Sequence, residues 1–221
     1  QARDRIAKTM VGAVRRIQPL AEQLRLQAIH HDVTDDNVVS RPDGSGRPMP
    51  DAVIDFGDLI RGWVAADLAV TCSALLHHAD GDPFFILPAV RAYHAAHPLT
   101  EPELRALWPL IVARACILVA SSEQQLGIDP GNAYVLGNIE HERTIFEVAA
   151  AVPFALMEQA ILATAGMAPP PAALPEMGPL LPGVGAEAIR LLPLDQDSPH
   201  FEADNFLRRG TDLKLLEQAA R

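Results

Sequence analysis

Cysteine is nearly absent from this chain, two residues among 221, which excludes a disulfide framework. Cys72 and Cys116 sit in the apolar runs AVTCSALL and RACILVA, so both are expected as buried free thiols, in keeping with a reducing cytoplasm. Basic residues are outnumbered, 18 Lys+Arg against 28 Asp+Glu, for a formal charge of −10 and a pI near 5.2. A nucleic-acid partner needs a basic footprint, and none is available. No run of 18 apolar residues is free of charge, so no membrane span and no membrane partner are expected. Lysine occurs twice, as Lys8 and Lys214, and Gly12 is the only glycine before residue 30. A glycine-rich phosphate loop and a strand lysine are therefore missing from the first thirty residues.

What is present is helix-forming pattern. Ile6, Met10, Val14, Ile17, Leu20 and Leu24 recur every three or four positions, predicting one helix to about Leu26, with Pro19 kinking or dividing it. The chain opens on Gln, already inside this helix and with no secretory pattern, so it reads as a piece of a longer protein. Short β-type runs at 37–40 and 52–56 flank Pro42-Asp43-Gly44-Ser45-Gly46, predicting a hairpin with a long polar loop. Helical segments follow at 65–78, 84–97 and 101–124. Thr100 and Glu103 form a capping box for the last of these, and Pro109 should bend it. Residues 132–165 predict one or two helices, broken near Gly137 or Pro153. Pro169, Pro170, Pro171, Pro175, Pro179 and Pro182 mark 166–185 as a Pro/Gly-rich linker, and 186–221 as the truncated start of a following domain. The expected organisation is thus 1–165, 166–185 and 186–221.

Chemistry concentrates in His30-His31-Asp32-Val33-Thr34-Asp35-Asp36-Asn37 and in Val53-Ile54-Asp55-Phe56-Gly57-Asp58. An Asp with an Asn five residues later, on a loop leading into a hairpin, can bring a carboxylate and an amide oxygen into one small volume. The second strand delivers Asp55 to the same edge. Such hard oxygens suit Mg²⁺, which completes its shell with water and substrate phosphates. A carboxylate left free to accept a hydroxyl proton completes the apparatus for phosphoryl transfer. Other readings fail on residue type. An EF-hand starting at Asp32 would need Gly where Asn37 stands and Glu where Asp43 stands. A transition-metal cluster at His30-His31-Asp32 lacks a further spaced ligand. Asp35 and Asp36 read as solvated loop, and His77-His78 and His94…His97 as helix-surface or helix-end residues.

His-x-Asp-x-x-x-x-Asn, then Ile-Asp-Phe-Gly-Asp, then Gly62 and Asp67-Leu68-Ala69 together resemble the aminoglycoside phosphotransferase/choline kinase family. The TDDN variant and RAYHAAHPLTEPELRALWPLIVARACILVA are similar to its hydroxylysine-kinase-like branch. The resemblance implies an α+β, mainly α fold: the helical C-terminal lobe of a protein-kinase-like fold with a catalytic-loop β-hairpin, followed by the Pro-rich linker. It implies Asp32 as catalytic base, Asn37 and Asp55 as Mg²⁺ ligands, and His30 and Asp67 as supports of the catalytic loop. It departs at His31, where many relatives have Gly. It further implies ATP or GTP as donor, bound mainly by a lobe absent here, and a small-molecule amino alcohol as acceptor. Covalently linked domains are expected on both sides, one of them a pyridoxal-phosphate (PLP) class III aminotransferase. Lys214 lies in an ordinary charged helix and does not itself point to that chemistry. The alternative is a non-catalytic, pseudokinase-like scaffold or regulator.

Overall fold

The computed structural model describes residues 2–169; the expected following domain and all but the first residues of the expected linker lie outside them. Helix α1 (Ala2–Ile17) stops earlier than the heptad-like pattern suggests. Pro19 has no N–H to continue the ladder, so Gln18–Gln23 winds as a 3₁₀ turn instead. The residues expected to end that helix belong to a strand, β1 (Leu26–Ile29), which the apolar periodicity concealed.

The two hairpin strands are β2 (Val38–Pro42) and β3 (Pro48–Val53), antiparallel with an irregularity between Val39 and Ser40. They run further toward the turn than predicted. Asp43 closes it: its Oδ1 accepts from the Ser45 N–H, the Ser45 hydroxyl and the Arg47 N–H, at 2.7–3.0 Å. Strand β4 (Ile60–Trp63) returns beside β1, pairing Leu26 with Trp63 and Ile29 with Ile60. A Cβ on Gly62 would stand 2.6 Å from Ile29 Cδ1, so the side-chain-free residue permits this close crossing.

The remaining elements are helical: α2 (Val64–Leu75), α3 (Leu87–Ala96), α4 (Glu101–Ile128), α5 (Ala133–Ala151) and α6 (Phe154–Thr164). Of the two breaks expected in 132–165, the one at Pro153 is real, and α5 and α6 meet there at 90°. Gly137 lies inside α5. The capping box is formed, Thr100 Oγ1 accepting from the Glu103 N–H while the Glu103 carboxylate accepts from the Thr100 N–H. Pro109 sits inside α4 without ending it.

Helix α4 is the axis of the fold, with α1, α2, α5 and α6 packed around it. Its Leu104, Leu107, Trp108 and Ile111 are fully buried. At 28 residues, with a mean hydropathy of 1.7 over its most apolar window, α4 is long and apolar enough to cross a membrane. Other helices bury 56% of that window, as befits a core helix. Cys72 and Cys116 are free and buried, and desolvation pushes their thiols up to about 12 and about 11. They are inert packing groups.

Candidate active site

Strand β1 ends in buried Ile29, and the next residues turn into the loop that carries the predicted chemistry. His30 is 7% exposed and bridges two segments. Its Nε2 donates to the Ile54 carbonyl at 2.9 Å while its Nδ1 accepts from the Asp32 N–H at 3.3 Å. Together the two bonds make Nε2 the donor and Nδ1 the acceptor. Phe56 packs against this ring, 4.7 Å between centroids.

His31, where the resemblance departs from Gly, has φ +67°. Glycine is the default for that left-handed conformation, and His is among the side chains that tolerate it better than most. The His31 N–H donates to Asp67 Oδ1 at 2.7 Å. Asp67, in the first turn of α2, therefore ties the loop to the helix through a backbone donor. It is half-buried rather than enclosed, because its place in the helix turns it from the core toward the loop. Thr71, one turn on, adds a second tie by donating its hydroxyl to the Val33 carbonyl at 2.9 Å.

The Asn37 amide group donates to the Asp32 carbonyl at 2.8 Å and to Asp32 Oδ2 at 2.9 Å. With both N–H donors turned to Asp32, the amide oxygen of this buried side chain remains as an acceptor. The Ile54 N–H bonds to the Asn37 carbonyl at 3.0 Å, closing the base of the hairpin just before Asp55. Asp55 has φ +60°, and its Oδ1 accepts from the Gly57 N–H at 3.2 Å. Asp32, Asn37 and Asp55 line one cavity of about 490 Å³, within the range of small-molecule sites.

An amide oxygen and a carboxylate are hard donors that match Mg²⁺ with a shell completed by water and phosphate. Among the described residues no three His, Cys, Asp or Glu side chains converge as a metal cluster. Asn37 and Asp55 would hold the ion.

Three features of the site escaped the sequence reading. Arg114, projecting from α4, places Nη2 3.2 Å from Asp32 Oδ1 and lines the same cavity. Its signal was a single cation inside the apolar run LIVARACILVA. His77, expected at a helix surface or helix end, follows the end of α2 and is half-buried; its ring lies 4.1 Å from that of His141 and also lines the cavity. Burial first, then the neighbouring His78 and His141, pulls His77 below its usual range, with Asp35 partly offsetting them. His78 itself is at the surface, 3.1 Å from Asp35.

The third is the Arg25–Glu103 pair, just before β1 and at the start of α4. Glu103 is fully buried and takes Arg25 in a fork, Nε to Oε1 at 2.8 Å and Nη2 to Oε2 at 2.7 Å. Burial alone would push Glu103 up, but the bonds from Arg25 and Thr100 outweigh it and hold the carboxyl below its ordinary value. The same carboxylate thus caps α4 and fastens the start of β1 to it.

A carboxylate held by an asparagine five residues on thus shares a cavity with a second aspartate at the base of a hairpin on a helical body. Residues 2–107 match the phosphotransferase enzyme family. Over 117 residues the chain is 26% identical to a hydroxylysine kinase of Danio rerio, a match covering 51% of this chain and 33% of the relative. The chain thus spans about a third of the length of that curated relative. No solved structure matches it.

Proposed function

We propose that this chain is the acceptor-binding, helical lobe of a Mg²⁺-dependent small-molecule kinase. The observation that carries this reading is the convergence of Asp32, Asn37 and Asp55 on one cavity. Asp32 accepts the proton of an acceptor hydroxyl as its oxygen bonds to the γ-phosphorus of ATP or GTP. The bond from that phosphorus to the bridging oxygen breaks, and the nucleoside diphosphate leaves. His30 and Asp67 hold the loop so that Asp32 meets the hydroxyl, and Asn37 fixes the Asp32 carboxylate by hydrogen bonding. Mg²⁺ bound through Asn37 and Asp55 supplies neutralisation of phosphate charge.

The acceptor is a hydroxylated amine, hydroxylysine-like, as the name of the Danio rerio relative suggests. The nucleotide is clamped chiefly by a β-rich lobe preceding residue 1, so the 221 residues by themselves do not turn over. A following domain, a PLP-dependent aminotransferase, completes a cytoplasmic fusion protein that has no nucleic-acid or membrane partner.

One observation favours a second reading, a non-catalytic scaffold: both Asp32 carboxylate oxygens are engaged, Oδ1 by Arg114 and Oδ2 by Asn37. The test is phosphoryl transfer by the full-length protein from γ-labelled ATP and GTP to a panel of amino alcohols that includes hydroxylysine. The kinase reading expects transfer to at least one of them, and a raised Mg²⁺ requirement in Asp55→Asn. Inactivity across the panel would favour the scaffold.

A further inference from the structure

The cavity reaches well beyond the catalytic loop. Another part of its wall is built from α2 and the 3₁₀ turn that follows it, carrying Val70, Ser73 and His77, and from one face of α5, carrying Asn138, Glu142 and Ile145. The α5 face lies outside the segment matched by the family. Most carboxylates around this space are already engaged: Asp32 with Arg114 and Asn37, Asp35 with His78, Asp55 with the Gly57 N–H. Glu142 differs, since its Oε2 is buried with no hydrogen-bond partner. The Ser73 hydroxyl, in a residue only 1% exposed, is likewise without one. Two buried acceptors with no donor to serve them are costly unless a ligand brings the donors. His77, held toward its neutral form, brings no fixed positive charge to the wall.

We infer that Glu142 and Ser73 form the receptor for a primary ammonium group on the acceptor substrate, in the cavity that Asp32 also lines. This inference rests on the kinase reading for the role of Asp32. A primary ammonium carries a full charge for Glu142 and three N–H donors, one of which Ser73 Oγ can accept. A quaternary ammonium has no N–H and would leave both oxygens unserved. Such groups are commonly recognised by aromatic cages, and among the described residues the only aromatic carbocycle lining the cavity, Tyr134, is 76% exposed. Val70 and Ile145 supply apolar surface for the alkyl segment between ammonium and hydroxyl. The site therefore selects primary amino alcohols against both diols and choline-like alcohols.

The test is calorimetric binding to the full-length protein of 5-amino-1-pentanol, its N,N,N-trimethyl derivative and 1,5-pentanediol. The unsubstituted protein should prefer the primary amine by about tenfold or more over the other two. Glu142→Gln should remove most of that preference, Ser73→Ala should weaken the amine by about threefold, and neither should alter the diol. Both substitutions keep or reduce side-chain volume, and melting curves verify the fold. Equal affinity for primary and quaternary amines, unchanged amine binding in Glu142→Gln, or no amine binding at all would overturn the inference. Failure of the kinase reading looks different: amine binding would depend on Glu142 while no nucleotide supported transfer.

Discussion

The helical and strand-bearing parts of this molecule are built on opposite principles. Around α4, apolar side chains interlock until Trp108, Leu107, Ile111 and Met157 have no exposed surface. Around β3 and β4, apolar side chains lie open: Ile54, Phe56, Leu59 and Ile60 are between 45% and 60% exposed. The helical part is held by burial. The loop bearing Asp32 and the turn bearing Asp55 are held by individual hydrogen bonds from His30, Asn37, Asp67 and Thr71. Packing supplies a rigid wall, and polar bonds place the reactive groups against it, so the chemistry can be altered without unfolding the body.

Substitutions on the two sides should separate accordingly. Leu107→Ala, at the fully buried centre, should destabilise by about 3–4 kcal/mol in chemical denaturation. Glu103→Ala strands the Arg25 guanidinium and the Thr100 N–H where the two parts join, and should cost about 3 kcal/mol. Because the folded-state carboxyl of Glu103 is held below its unfolded value, its contribution is present above about pH 4.3 and is lost as pH falls through the folded value. Stability measured from pH 5 to 3 should therefore decline more steeply in the parent than in Glu103→Gln. Asp67→Ala loses one charge-assisted bond at a half-buried position, and should cost about 2 kcal/mol. Phe56→Ser, on the open side, should change stability by about 0.5 kcal/mol or less. A large loss there would show that the strand-bearing part contributes to the packed core and would erase the contrast.

The helical body was legible in the sequence where one signal acted alone. The Thr100–Glu103 box marked the start of α4, whereas two signals, Gly137 and Pro153, competed for the break that the structure places at Pro153. Strand β1 was not legible, because Leu24 and Leu26 continue a helical spacing that Pro19 had already interrupted. The hairpin was readable from its turn residues, but its extent depended on Asp43 gathering three donors, which no periodicity encodes. Within the site, Asp32, Asn37 and Asp55 were visible because their spacing is local. Arg114, His77 and Glu142 come from helices whose faces meet the loop only in three dimensions. Asp67 stands in the apolar run WVAADLAVTC, and helix phase turns it to the loop it was expected to support.

The central claim is that Asp32 is the base of a phosphotransfer site held together by this loop. The most direct measurement is the rate of phosphoryl transfer from nucleoside triphosphate to a primary amino alcohol by the full-length protein and by its Asp32→Asn variant, with melting temperature followed in parallel. The account predicts a loss of about 10²–10⁴ in rate at an unchanged melting temperature. An Asp32→Asn protein that transfers phosphate within a few-fold of the parent would contradict it.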